Sequence, residues 1–200
     1  HQHPEIAFTE TRTAAIVAKE LKTLGFEVTT GIGKTGVVGV LKNGPGPTVW
    51  YRADMDANGG VRETTGLAWA AKQAQRLPDG TELDVMHACG HDAHITWLLG
   101  TAKALAALKS EWSGTVVVYA QPAEEVGLGA QAMVDDKLWQ RGFPKPDFAL
   151  GSHAAPIPVG VISSSPGVRM AGTDQLDITF QGIGGHGSTP QMTIDPVLMA

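Results

Sequence analysis

The segment Thr115-Val116-Val117-Val118-Tyr119-Ala120 restricts the fold of this chain more than any other. A continuous apolar run of this kind predicts a strand buried on both faces, as in a parallel sheet covered by helices. Helical patterns stand on either side of it. Ile95, Leu98, Leu99, Ala102, Leu105 and Ala106 predict an amphipathic helix from Asp92 to Leu108, with Asp92 as its N-cap. Val17, Leu21 and Leu24 predict a helix over Thr9 to Leu24 that Gly25 stops, and Ala130 to Trp139 reads as a third. A short helix is also expected near Leu67 to Gln75, inside an otherwise loop-rich stretch from 57 to 81.

Strand-like runs alternate with these helices at Phe26–Thr29, Gly36–Leu41, Thr48–Ala53, Leu83–Met86, Asp147–Leu150 and Val159–Ser163. The turn Asn43-Gly44-Pro45-Gly46-Pro47 joins two of them closely. The expected class is α/β, a mixed sheet sandwiched by helices. After Gly167 the pattern changes. Leu176, Ile178 and Phe180 alternate with polar residues, residues 182–187 form a glycine-rich bend, and Asp195-Pro196 reads as the start of a helix. Residues 1–167 are therefore expected to form one domain, and 168–200 the beginning of a second that is cut off.

The strand ends carry the chemistry. Leu83–Met86 runs into His87-Ala88-Cys89-Gly90-His91-Asp92-Ala93-His94, which holds three histidines, an aspartate and the single cysteine of the chain. Packing alone does not explain five such residues in eight positions. Cys89 and His91 lie two apart, so in extended backbone a thiolate and an imidazole point the same way and can meet one ion. Asp92 and His94 fall inside the helix, where capping, packing or support competes with ligation. Thr115–Ala120 is followed by Gln121-Pro122-Ala123-Glu124-Glu125, and adjacent carboxylates beyond an apolar strand need a cation or a proton nearby. Asp147–Leu150 delivers His153, and Thr48–Ala53 delivers Asp54 and Asp56, either as ligands or as groups that orient ligating histidines. His186 is flanked by glycines that let the backbone approach closely. In open α/β sheets the crevice beyond the strand ends is the usual ligand site.

Other classes are excluded or weakened. A net charge of -5 offers no general attraction to nucleic acid or to anionic membranes, so neither partner is expected. No apolar run approaches the roughly 18–20 residues of a membrane span. The first residues lack the pattern of a signal peptide and an initiator Met, so the natural start is expected upstream. One cysteine forms no internal disulfide, which fits a reducing, cytoplasmic compartment. Gly31-Ile32-Gly33-Lys34-Thr35 fails as a phosphate loop because Val28 stands where the first glycine is required. Neither a Gly-x-Ser-x-Gly elbow nor a His-Glu-x-x-His helix occurs.

Arg52-Ala53-Asp54-Met55-Asp56-Ala57, Met86-His87-Ala88-Cys89-Gly90-His91-Asp92-Ala93-His94, Gln121-Pro122-Ala123-Glu124-Glu125 and Gly184-Gly185-His186 follow one another in an order that resembles the aminoacylase/carboxypeptidase family of dinuclear metallo-amidohydrolases. The branch is that of hippurate hydrolase and the indole-acetyl-amino-acid hydrolases. His1-Gln2-His3-Pro4-Glu5 is similar to a His-x-x-Pro-Glu segment found early in such proteins. The likeness covers nearly the whole chain.

It implies a zinc-peptidase-like catalytic domain followed by a small α+β dimerisation or lid domain. It also implies that Cys89, His91, Glu125 and His153 bind metal, with Cys89 bridging two ions. Glu124 would be the general base, Asp56 the residue that orients the site, and His186 a substrate-binding residue. A further metal-binding histidine is expected in a later return to the catalytic domain, beyond residue 200. The implied reaction is cleavage of the amide bond in N-acyl amino acids or similar small conjugates by a metal-activated water. Two divalent ions are expected, manganese or zinc first and nickel or cobalt as alternatives, since a thiolate ligand disfavours magnesium and calcium. A homodimer is expected for the full-length protein. The alternative is a truncated, catalytically inactive metal-binding fragment. Asn58-Gly59-Gly60 departs from the family's common Leu-Pro-Ile, Gln191 stands where a second histidine is frequent, and Val126-Gly127-Leu128-Gly129 is bulkier than its usual glycine run.

Overall fold

The computed structural model describes residues 1–200 except 72, 73, 78, 173 and 175. Its contacts divide the chain into two units, His1–Pro156 and Ile157–Ala200. In the first, α1 (Thr11–Thr23) buries the stripe Ala14, Val17, Ala18 and Leu21, spaced to share one helix face. Gly25, at φ 85°, ends it in the left-handed conformation that glycine adopts without strain. There follow β1 (Glu27–Ile32), β2 (Gly36–Asn43), β3 (Thr48–Asp54), the short pieces β4 (Asn58–Gly59), β5 (Gln75–Arg76), β6 (Glu82–Leu83) and β7 (Val85–Met86), α2 (His91–Ala107), β8 (Gly114–Gln121), α3 (Gly129–Asp135) and β9 (Phe148–Gly151).

Five strands form one sheet in the order β1-β2-β8-β3-β9. β1 and β8 each pair antiparallel with β2, whereas β8 and β9 each pair parallel with β3. The sheet is mixed, as expected. Side chains alternate across β8 with the two-residue period of a strand. Val116, Val118 and Ala120 join Val17, Leu21, Leu98 and Ala102 under α1 and α2, while Val117 joins Val38, Trp50, Met133 and Leu138 on the opposite face. Both faces of the central strand are therefore covered, which is what its unbroken apolar run requires. No helix among the described residues is long and apolar enough to cross a membrane.

Four local expectations are corrected. Asp92 is not the N-cap of α2, because Gly90, at φ 80°, turns the chain sharply and the helix starts at His91. The carboxylate of Asp92 instead meets His1 Nδ1 at 2.8 Å. The helix expected near Leu67 to Gln75 falls partly on residues outside the described set, and the described ones make a single turn closed by Ala70 N–H donating to Leu67 O. In the second unit the described residues form no strand at 159–163 or 176–181, and its ladder is one bridge between Ile183 and Ile194. Alternation marks which face of a strand would be wet, but a strand exists only by pairing. The helix expected at Asp195-Pro196 is a turn, with Asp195 Oδ1 accepting from Val197 N–H at 2.9 Å.

Candidate metal centre

Because β3, β8 and β9 run parallel, their C-terminal ends share one edge, with Asp54 opposite Gln121 and Arg52 opposite Gly151. The chain leaving β7 brings Cys89 and His91 to the same edge, and Asn58 Oδ1 accepts from Cys89 N–H at 3.1 Å. Asn58 is one of the departures noted above, and here it fixes the backbone of the thiol residue.

Four residue types meet around His91. Its imidazole is fully buried. Nδ1 lies 2.8 Å from the carbonyl oxygen of Asp56, so it must carry the proton and donate, leaving the Nε2 lone pair free. That lone pair faces Glu124 Oε2 and Glu125 Oε1, each at 3.7 Å. All three atoms are acceptors, and neither His91 Nε2 nor Glu125 Oε1 makes a hydrogen bond. Only a cation or an extra proton reconciles them. The thiol of Cys89 stands 3.5 Å from His153 Nε2, and the His153 ring is turned by its Nδ1–H donating to Ala154 O at 2.6 Å. Cys89, His91 and His153 thus form one set, His91, Glu124 and Glu125 a second, and Asp54, His91 and His94 a third, with ligand atoms within 4.8 Å of one another in each. His91 is common to all three.

Electrostatics describe the same crowding. Burial and the neighbouring acids Glu125, Glu124 and Asp54 push the Cys89 thiol up to about 11. Burial, the largest cause, also raises the carboxyl of Glu125; the pull of His91 opposes it, and the charges of Glu124 and Asp56 add to the rise. For His91, burial opposes the charged form, but Asp56 and Asp54 outweigh it and raise its pKa. In all three the crowded negative charge favours the protonated form. Cysteine, imidazole and carboxylate together are the donors of a borderline divalent ion, so the residues fit the expected metal.

The loop carrying the two glutamates is fastened by its amides. Asp56, fully buried, accepts from Glu124 N–H through Oδ1 at 2.9 Å and from Glu125 N–H through Oδ2 at 3.0 Å. Burial alone would raise its pKa, but His91 and these two amides hold it below the usual value. The preceding amide, Ala123, donates to Glu10 Oε1 at 2.8 Å, and Ala123 has a φ of 49°. Glu10 is also fully buried, and its other oxygen accepts from Thr35 Oγ1. Sequence reasoning missed Glu10, which lies in no motif. Gly129 closes the same loop, since a Cβ there would stand 1.5 Å from Pro122 O.

His1 joins the edge from the N-terminal segment. Its Nδ1 meets Asp92 Oδ2 at 2.8 Å and its Nε2 meets Glu63 Oε1 at 3.1 Å. Partial burial opposes its charge, but these two acids outweigh that and raise its pKa. The stabilisation is complete below the ordinary value of about 6.5 and disappears as pH rises through the higher folded value. The gap in thermal midpoint between the protein and His1→Ala is expected to be widest near about pH 6 and to narrow at alkaline pH. A constant gap over that range rules out the charged pair as its source. His186 belongs to the second unit, where its Nδ1 accepts from Ser188 N–H at 3.2 Å.

Comparison with known proteins gives the relatives of this chain. The chain is 42% identical over 202 residues to hippurate hydrolase of Campylobacter jejuni, covering all of this chain and 49% of that protein. It is 38% identical over 201 residues to the IAA-amino acid hydrolase ILR1-like 5 of Arabidopsis thaliana, covering 43% of it. The chain thus spans about half the length of the curated relatives it matches. Among solved structures, the Bacillus subtilis YXEP protein, a dinuclear metal binding peptidase from the M20 family, superposes with a TM-score of 0.66 at 32% identity, over 78% of this chain and 40% of that one. Residues 50–200, which include the C-terminal ends of β3, β7, β8 and β9, match the model of peptidase family M20/M25/M40, and the chain belongs to that family.

Proposed function

We propose that this chain carries the metal-binding part of an amidohydrolase that cleaves N-acyl amino acids or similar small conjugates. The observation that carries the reading is the set of lone-pair acceptors crowded around His91, with Nε2 facing two carboxylate oxygens at 3.7 Å. The substrate class rests on the names of the relatives, which refer to hippurate and to IAA–amino acid conjugates.

Cys89, His91, Glu125 and His153 would hold two divalent ions, manganese or zinc in the first instance. Bound there, such ions supply Lewis acidity toward the amide carbonyl and bring the pKa of a water towards about 7. The protein's part is positional and protolytic. Glu124 is the more open of the two glutamates, with 37% of its side chain exposed against 21% for Glu125. That greater opening to solvent favours it as the base, taking a proton on Oε2 and passing it to the leaving amine. Asp56 keeps that carboxylate in place through the loop amides. His186 would bind the substrate, and the full-length protein would be a homodimer.

The test uses the full-length protein with zinc or manganese supplied. Metal content and hydrolysis of a panel of N-acyl amino acids are measured beside Cys89→Ala. The parent is expected to bind two ions per chain and turn over; Cys89→Ala is expected to bind fewer and lose turnover. A parent with less than one ion per chain, or one that cleaves no member of the panel, overturns the reading.

A further inference from the structure

His94 has no part in the proposed chemistry, yet it is the residue on which the His153 segment rests. It lies on α2 one turn after His91, and its side chain is fully buried. Three contacts define its place. Its ring packs edge-on against that of His153, with centroids 4.6 Å apart, and lies 5.1 Å from that of His91. Its Nε2 accepts the backbone N–H of Ala154 at 2.8 Å. Its Nδ1 makes no hydrogen bond, and the nearest carboxylate oxygen, Asp54 Oδ2, is 3.7 Å away. Asp54 is itself buried and paired with the guanidinium of Arg52.

These contacts choose between two roles. Asp54, His91 and His94 stand close enough to hold a cation. But a nitrogen that accepts a backbone N–H has committed its lone pair, so the ring proton of His94 sits on Nδ1, turned toward Asp54. Neither nitrogen is then available as a ligand. Ala154 in turn does two things: its N–H is held by His94, and its carbonyl accepts from His153 Nδ1–H at 2.6 Å. That second bond leaves the lone pair of His153 on Nε2, directed at Cys89 Sγ.

We propose that His94 is a positioning residue that, backed by Asp54, fixes the backbone of Ala154 and so presents His153 to the metal in its ligating tautomer. The proposal rests on the reading of His153 as a ligand. Groups that orient metal ligands typically change ion affinity by roughly 10- to 100-fold when removed.

The test measures cobalt(II) affinity and stoichiometry in the full-length protein and three variants. His94→Phe keeps a ring against His153 but cannot accept from Ala154, and it is expected to weaken one ion roughly 10- to 100-fold. His94→Gln offers an acceptor near the place of Nε2 and is expected to restore most of that affinity. His153→Ala is the reference and is expected to lose the same ion. Nitrogen-15 spectra of the unsubstituted protein, recorded without metal, are expected to show His94 protonated at Nδ1. This readout stands even if a variant fails to fold. A His94 ring protonated at Nε2 overturns the proposal, as does a His94→Phe protein that binds both ions like the parent while His153→Ala does not. If His153→Ala also binds both ions unchanged, it is the ligand reading itself that falls.

Discussion

Glu124→Gln is expected to keep both ions and lose turnover by on the order of 10²- to 10⁴-fold, the usual contribution of a positioned general base. Glutamine fills the same space and keeps the backbone N–H that Asp56 Oδ1 holds at 2.9 Å, so the loop is undisturbed. What disappears is the ability of Oε2 to take a proton. Glu125→Gln should behave in the opposite way. Its Oε1 is buried, unpaired and 3.7 Å from His91 Nε2, and an amide there weakens the ion itself. Metal content by mass spectrometry, measured beside kcat, separates the two. Loss of ions in Glu124→Gln with retention in Glu125→Gln exchanges their roles.

Asp56→Ala is expected to damage stability and the metal centre together. Its carboxylate is fully buried and is the acceptor for two successive amides, those of Glu124 and Glu125. Each buried N–H left without a partner costs about 1–3 kcal/mol, a large share of a total stability of about 5–15 kcal/mol. The glutamates that follow from those amides would lose their fixed direction, and ion affinity should fall roughly 10- to 100-fold. The His91 ring keeps its direction, because the carbonyl of Asp56 still accepts from its Nδ1, but it loses the carboxylate 3.5 Å away that favours its charged form. Asp56→Asn keeps one acceptor and should lie between. The pKa of Asp56 is lowered on folding, so its stabilisation is present above about pH 4 and fades as pH falls through the lower folded value. Chemical denaturation of the metal-free protein isolates the stability effect. A midpoint for Asp56→Ala equal to that of the parent contradicts the role of this carboxylate in fastening the loop.

How far the sequence could be read depended on the range of each interaction. Val116 to Ala120 announced its surroundings because a strand covered on both faces admits only apolar residues on either side. The convergence of Asp56, Cys89, His91, Glu124, Glu125 and His153 was legible because parallel strands deliver their ends to one edge. Glu10 was not, because its partner amide is 113 positions away and nothing local distinguishes it from a surface acid. Asp92 suits a cap by residue type, but the turn at Gly90 puts the cap two residues earlier and leaves Asp92 in the first turn of the helix. In the second unit, the alternation at Leu176, Ile178 and Phe180 predicts a strand that the described residues do not form, because a pattern does not supply a pairing partner.

The strand order has a consequence for how the molecule comes together. β2 and β3 are joined by residues 44–47 alone, yet they do not pair; β8 lies between them, bonded to one on each side. Until residue 121 is available, β1 and β2 can make a hairpin and β3 has no neighbour in sequence to join. Long-range and parallel pairings of this kind are slow to form, since loop entropy must be overcome before contacts compensate. The strand that finally closes the gap is also the one that leads into Glu124 and Glu125. Closing the central sheet therefore also carries the loop bearing both carboxylates to the edge where Glu10 and Asp56 accept its amides.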